Sequence, residues 1–400
     1  MTGILDGIKV AEMGQYVAIP SAGAMMADWG AEVIRIEPPT GESLRGLRSD
    51  QGVAVGAVNA QTEVANRNKK SLALDLKKEA GKDILYRLVK QSDVFMSNYE
   101  VGALKRLKVD YATLSQINPR LVYAFLTGYG SAGPDKDERG FDHTAAWARA
   151  GIQHLLGAQG FPPPLQPGGM MDRVTATNVV ASVLGALLFR DRTGKGQEIE
   201  CSLYHSGVWA IARDIESALM GSPMPRRDRT REANPLWNAY GAKDDRWFTL
   251  AMLQADLYWA DFCRAIERPE LENDPRFNDM GTRRQNCQAL IRILDEVFAS
   301  KNRGEWEKRF KENNCIYGRV ETPEEVVTDP QALANDFFAE IEHPSGGKIK
   351  LITMPVKFHQ NPGSVRSPAP ELGQHTEEIL LDLDYSWEDI ARIKEQGVIL

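Results

Sequence analysis

The sequence predicts an α/β protein, with a large Rossmann-like domain built on an open, mostly parallel sheet and a smaller α+β domain attached to it. Three observations carry this. The first 130 or so residues alternate short apolar strand-like runs with helical stretches across tight turns, the pattern of parallel strands joined by helical crossovers. At 400 residues the chain exceeds what one core ordinarily organises. A polar, breaker-rich stretch, SPMPRRDRTREANP (222–235), interrupts the chain and is followed by a segment with its own apolar periodicity. The expected division is 1–205 for the first part of the large domain, 206–235 for a linker, 236–330 for the small domain, and 331–400 for a return linker and the end of the large domain.

The elements follow in order. IKVAEM (8–13) reads as a strand, SAGAMMADWG (21–30) as a helix stopped by Gly30, and AEVIRIEPP (31–39) as a strand closed by prolines. SLALDL (71–76), the helix at 77–91, DVFMSNY (93–99), two short helices and LVYAFLTGYG (121–130) continue the alternation. After Asp172, apolar residues at 179, 180, 183, 184, 187 and 188 form a helical stripe, and small residues elsewhere predict burial nearly all round. EIECSLYH (198–205) reads as a further strand and WFTLAM as a strand of the small domain, with several helices between 255 and 338. A hairpin around Gly346 and Gly347 (343–358) and a helical tail close the chain. Ligands of such sheets sit beyond the carboxyl ends of the strands, so the turns MGQYVAIP, EPPTGE, LDLK, SNYE and TGYGSAG carry the interest.

Composition narrows the function. Hydrophobic residues make up 42% and charged residues 26%, with a net charge of -7 and no run of five like charges, which disfavours nucleic acid and membrane surfaces as partners. Cys201, Cys263, Cys287 and Cys315 form no C-x-x-C, so a reduced, cytoplasmic protein without a zinc ribbon is expected. The start lacks a basic segment followed by an apolar one, against a signal peptide. The apolar run from Val179 to Phe189 is shorter than the roughly 20 residues that cross a bilayer. The first strand leads into MGQYVAIP rather than G-x-G-x-x-G, TGKGQ lacks the ending of a P-loop, and the six histidines show no metal-binding spacing. No metal and no tightly bound cofactor are expected.

What remains is PGGMMDRVTA (167–176), where an acid meets the mouth of a long apolar helix. Asp is a preferred helix N-cap, contributing about 0.5–2 kcal/mol. A carboxylate nucleophile needs an open approach, which Gly168 and Gly169 supply. Residue chemistry alone leaves both roles open for Asp172.

The ordered set LDGIKVAEM, GAMMADWGAEVIRIEPPTG, NRNKKSLALDLK, SNYEVGALKRL, GYGSAGP, GFDHTAAWARAG, Asp172 and the ending PELGQHTEEILLDLDYSWEDIARIKEQGVI resembles the class III CoA-transferases over nearly the whole chain. That is the group of formyl-CoA, carnitine and bile-acid CoA-transferases, and the pattern looks closest to its 2-hydroxyacyl-CoA branch. The family's nucleophile matches Asp172, and Thr193 of TGKGQ follows it by 21 positions (193 minus 172). The resemblance implies CoA transfer between an acyl-CoA and a carboxylic acid through aspartyl anhydride and aspartyl-CoA thioester intermediates, with CoA as substrate. It also implies an interlocked homodimer.

By the same resemblance, CoA-contacting positions fall on Gln15, Tyr16, Val17 and Ala18, on Leu74, Asp75, Leu76 and Lys77 at the adenine end, and on Asn98, Tyr99, Glu100 and Arg106. Arg139, Phe141, Asp142 and Leu203 match positions nearer the reacting centre. Two departures stand out. Pro38 occupies the position where relatives often carry Arg, with Arg45 or Arg48 as substitutes, and no glycine-rich active-site cover is recognisable near NAYGAKDD (238–245). An α-methylacyl-CoA racemase of the same superfamily, which would need a His where Phe141 stands, and a non-catalytic CoA-binding subunit are the alternatives. Trp147, Trp209 and Trp237 are candidates for an acyl pocket.

Overall fold

The computed structural model describes residues 3–45, 49–50, 53–54, 58–158, 160–222, 224–344 and 347–400, the side chains of 49–50 and 53–54 excepted. Arg48 and the hairpin residue Gly346 lie outside the described residues. The chain divides into a unit made of 1–152, 165–223 and 330–400 and a second made of 153–164 and 224–329.

The larger unit is built on six strands, β1 (Lys9–Met13), β2 (Glu32–Glu37), β3 (Lys70–Ala73), β4 (Val94–Ser97), β5 (Val122–Thr127) and β6 (Gln197–Ser202), all paired in parallel. Their spatial order is β3-β2-β1-β4-β5-β6, the doubly wound arrangement whose direction of travel reverses between β1 and β4. β4 is buried at every position, as expected of a parallel strand covered on both faces. Helices α1 (Ala18–Asp28) and α2 (Met170–Thr193), with the following helix α3 (Leu203–Ala210), pack Ile19, Met26, Val179, Val180, Val183 and Leu203 on one face. The helix at 79–91 and the C-terminal helices at 376–382 and 387–395 bring Ile84, Leu85, Leu88, Leu380, Ile390 and Ile393 to the other. Each such side chain contributes about 1.5–3 kcal/mol on burial.

The C-terminal return also covers the edge of the sheet. The outward N–H groups of Ser71 and Ala73 on β3 donate to His375 Nδ1 and Thr376 Oγ1, each at 3.2 Å, so this edge is not left open to another strand. On β1 and β2, Glu12, Arg35 and Glu37 have fully buried side chains, joined by Glu42 and Lys69. Lys69 Nζ sits 2.6 Å from Glu12 Oε2, and Arg35 Nη2 3.1 Å from Glu42 Oε1. Gly23 of α1 leaves the room this requires, because a Cβ there would fall 1.8 Å from Glu12 Oε2.

Several expectations shift. The helix expected from 21 runs Ala18–Asp28, and the strand expected through His205 stops at Ser202, where the Ser202 hydroxyl accepts the His205 N–H at 3.1 Å and starts α3. The expected linker therefore opens as helix, α3 and then α4 (Ala212–Leu219). The hairpin strands are Phe338–His343 and Gly347–Ile352, earlier than expected. Helix α2 is not buried all round: Met170, Val174, Leu188 and Phe189 are exposed along one side. By length and composition alone α2 would suffice to cross a membrane, while its opposite side lies in the core.

In the second unit, strands at 239–241, 247–250 and 317–319 form an antiparallel sheet. Helices at 259–265, 287–298 and 303–312 cover it through Phe262, Leu290, Phe298, Trp306 and Phe310.

Candidate active site

A cavity of about 440 Å³ opens beyond the carboxyl ends of β1, β4 and β5, at the reversal point of the sheet. Gln15 to Ala18 line it from the turn after β1, Asn98 to Gly102 from the turn after β4, Leu126 to Gly128 from the end of β5, and Leu203 from the start of α3. Lys136 to Asp142 form another wall, and Asp172 reaches in from the first turn of α2.

Each wall is held by specific bonds. Asn98 clamps the first turn reciprocally, its Oδ1 accepting the Gln15 N–H at 2.8 Å and its Nδ2 donating to Gln15 O at 2.9 Å. The Ser97 hydroxyl donates to Met13 O at 2.8 Å, tying the ends of β1 and β4. Tyr16 is held at a φ of 56°, uncommon for a bulky residue, and its ring meets Phe141 edge-on at 5.7 Å. Phe141 is 50% exposed, so this ring pair faces open space rather than core. The turn after β5 and the strip before Phe141 touch backbone to backbone: a Cβ on Gly140 would lie 2.5 Å from Gly128 Cα. Beyond Phe141, residues Asp142–Arg149 wind as a π-helix, a rare geometry enriched at functional sites.

Asp172 is the third residue of α2, not its cap. The cap position is Gly169, at a φ of 70°, and the Asp172 carboxylate makes no hydrogen bond among the described residues. A Cβ on Gly169 would sit 3.2 Å from Val17, so a glycine here lets the first turn and α2 approach. Burial pushes the Asp172 pKa up to about 7, the neighbouring charge of Asp142 adds to the rise, and Arg173 opposes it. The result is an acid poised to ionise near neutrality, open to a ligand and free of competing hydrogen bonds.

Residues 5–376 match the family described as CoA-transferase family III. The chain belongs to that family. Among its relatives, the (R)-2-hydroxy-4-methylpentanoate CoA-transferase of Clostridioides difficile is 33% identical, over 99% of each chain. The cinnamoyl-CoA:phenyllactate CoA-transferase of Clostridium sporogenes is 32% identical, over 100% of this chain and 98% of that one. A solved CAIB/BAIF family protein from Brucella suis superposes with a TM-score of 0.84 at 28% identity, covering 96% of this chain and 100% of that one. The protein is a class III CoA-transferase.

In this CoA-transferase the cavity gathers Asp172 with Gln15, Tyr16, Val17, Ala18, Asn98, Tyr99, Glu100, Arg139, Phe141, Asp142 and Leu203. Leu74, Asp75, Leu76, Lys77 and Arg106 do not line it. Leu74 and Leu76 are core side chains, Asp75 binds the Lys77 N–H at 3.0 Å, and Lys77 and Arg106 are exposed. Arg45, the suggested substitute for the missing Arg, is engaged elsewhere, in a bidentate pair with Glu37 at 2.7 and 2.8 Å. Trp147 is buried behind Asp142, Trp209 is exposed, and Trp237 lies in the second unit beneath Arg227; none lines the cavity. Thr127 and Gly128 come from the expected turn TGYGSAG, and the lining residues not anticipated are Val101, Gly102, Leu126, Lys136, Asp137, Glu138 and Gly140. Of these, Lys136 is an exposed cation with no ion-pair partner among the described residues, whereas Arg139 is paired with Glu100 at 3.2 Å. The charge-rich DKDERG run was the signal for that wall. His143 is exposed and does not line the cavity.

Proposed function

We propose that this enzyme moves CoA from an acyl-CoA to a monocarboxylic 2-hydroxy acid with an apolar side chain, through covalent intermediates on Asp172. The observation that carries the covalent reading is the Asp172 carboxylate itself: unbonded, open to the cavity and with a pKa near neutrality. An Asp172 oxygen attacks the donor acyl carbon and CoA leaves as thiolate, giving a mixed anhydride. The thiolate attacks the Asp172 carbonyl carbon, releasing the donor acid and leaving an aspartyl-CoA thioester. The acceptor carboxylate attacks that thioester, again expelling the thiolate, which then takes the acceptor acyl group and returns Asp172 as carboxylate. Splitting one exchange into such steps lowers each barrier.

The acceptor class draws support from two sources. The two relatives just named act on 2-hydroxy acids with apolar side chains or are named for them. Around Asp172 the cavity is lined by Val17, Ala18, Leu126, Leu203 and the Tyr16–Phe141 pair, and Arg139 is already paired with Glu100. The Glu100, Tyr99 and Asn98 turn and the Gln15 to Ala18 turn are proposed to hold the pantetheine arm. The exposed cations Lys77 and Arg106 are proposed to meet phosphate groups. A homodimer is proposed as well: the exposed side of α2 bears Met170, Val174, Leu188 and Phe189, and Leu219 and Met220 extend the apolar surface, an arrangement suited to a second copy. Its interlocked form and a cytoplasmic location rest on the resemblance and the cysteine usage.

Steady-state CoA exchange with a panel of acyl-CoA donors and carboxylate acceptors tests the assignment. The expected outcome is highest kcat/KM for 2-hydroxy acids with branched or aromatic side chains; preference for oxalate or succinate would reject the acceptor class. With Phe141 where a racemase needs a second base, no α-proton exchange of a 2-methylacyl-CoA into deuterated solvent is expected.

A further inference from the structure

Helix α2 begins without a cap of its own. Gly169 has no side chain to offer, and Asp172 makes no bond to the helix N–H groups. The capping oxygen comes instead from 29 residues upstream, where Asp142 Oδ1 accepts the Met171 N–H at 3.1 Å. Asp142 is only 4% exposed and is itself firmly placed. The residue before it is fixed by the Phe141 N–H, which donates to Thr144 Oγ1 at 3.0 Å, and the one before that by the close contact of Gly140 with Gly128. Its second oxygen, Oδ2, is buried beside Trp147 Nε1, whose N–H also favours the ionised carboxylate.

Building on the assignment of Asp172 as nucleophile, we propose that Asp142 is its positioning residue: it caps α2 from a separate element and thereby holds the first turn so that the Asp172 carboxylate stays unbonded and directed into the cavity. A side-chain cap within α2 would consume oxygen atoms next to the nucleophile, and a cap supplied by Asp172 would consume the nucleophile itself. The cap from Asp142 removes that conflict and brings a second negative charge close to Asp172.

The charged groups acting on the pair are few. Burial raises the pKa of Asp142, while His143, the N–H groups of Gly169 and Met171 and the Trp147 side chain pull it down. Arg173 favours ionised Asp172, its guanidinium also donating to Gly169 O at 3.0 Å and to Gln61 Oε1 at 2.9 Å. Asp142 opposes that ionisation. Removing its charge while keeping an acceptor for Met171 should therefore move the ionisation of Asp172 to lower pH.

The test compares wild type, Asp142→Asn and Asp142→Ala in single-turnover acylation by an acyl-CoA, followed across pH by mass spectrometry of the Asp172 peptide after hydroxylamine treatment. Asn keeps an oxygen for the Met171 N–H but no charge, and Ala removes both. The expected result for Asp142→Asn is an acid limb of the pH profile displaced downward by about one unit, with a plateau acylation rate above that of Asp142→Ala. For Asp142→Ala, a loss of roughly 10- to 100-fold in acylation rate is expected at unchanged far-UV dichroism, as misplacement of a reacting group predicts. A wild-type-like limb in Asp142→Asn, or a wild-type rate in Asp142→Ala, overturns the proposal; should the Ala variant not fold, the limb in the Asn variant decides alone. Absence of label on Asp172 in the wild type is seen before any variant is compared and removes the nucleophile assignment instead.

Discussion

Two of the groups of buried acids in the large domain behave in opposite ways. Under the ends of β1 and β2, Glu12, Glu37 and Glu42 are met by Arg35, Arg45 and Lys69. Glu37 keeps a pKa below its ordinary value even though burial raises it, because Arg45 and Arg35 more than offset desolvation. Asp142 and Asp172 have each other for company, and burial lifts Asp172 to about 7. Burial raises both Glu37 and Asp172; beside Glu37 two cations more than offset it, whereas at Asp172 the single Arg173 does not and Asp142 adds to the rise. At Lys69 burial prevails over the opposite charge, lowering it to about 8 against the pull of Glu12 and leaving it charged at neutral pH.

The sharpest way to break this comparison is at Asp172. Asp172→Ala is expected to lower kcat by at least about 10³-fold with the fold intact, as loss of a covalent nucleophile does. Steady-state CoA exchange checks it. Next in size, Lys69→Met leaves Glu12 buried beside Arg35 without its closest partner and is expected to cost about 3–5 kcal/mol in urea unfolding. The effect on activity should follow the folded fraction.

A third contrast is in stability against pH. Folded Asp172 holds its proton to about pH 7, whereas the unfolded chain releases it near the ordinary value of 3.8. Between those values the folded state binds more protons, so this residue makes stability fall as pH rises through the window and leaves it flat above. Asp172→Asn removes the effect and should melt a few degrees higher than wild type above pH 7, the difference shrinking toward pH 4. Equal melting temperatures at all pH values would mean that Asp172 is not strained by its surroundings. The smallest expected effect is at Glu42, whose Oε2 accepts the Tyr16 N–H at 3.4 Å and so links the paired network to the cavity. Glu42→Gln should raise KM for acyl-CoA by about 2- to 5-fold with little change in kcat, a long hydrogen bond being worth less than about 1 kcal/mol.

Much of this was legible in the sequence, for reasons that can be named. Strand runs such as VFMS and VYAFLT are apolar up to a polar last residue and bounded by turn residues, and the turns after them do line the cavity. Asp172 was legible as an acid at a helix start, but its exclusion from the capping role was not, because the competing cap comes from Asp142, distant in sequence. The open side of α2 was misread because Ala181 and Gly185 are small and look like packing residues, while the exposure of Met170, Val174 and Leu188 depends on what neighbours the helix. Periodicity likewise records that strands exist but not their order, and so does not locate the reversal between β1 and β4 that sets the cavity. Leu74 and Leu76 were carried to the CoA site by resemblance, yet alternate into the core as any strand end does.

The central claim is that the unpaired acid at the start of α2 forms the covalent bond. Incubating the wild-type enzyme with acyl-CoA, trapping with hydroxylamine and sequencing the modified peptide by mass spectrometry tests it directly. A hydroxamate is expected on Asp172 and none on Asp142, Glu12 or Glu37; modification of another carboxylate, or full CoA exchange with Asp172 unmodified, overturns the assignment.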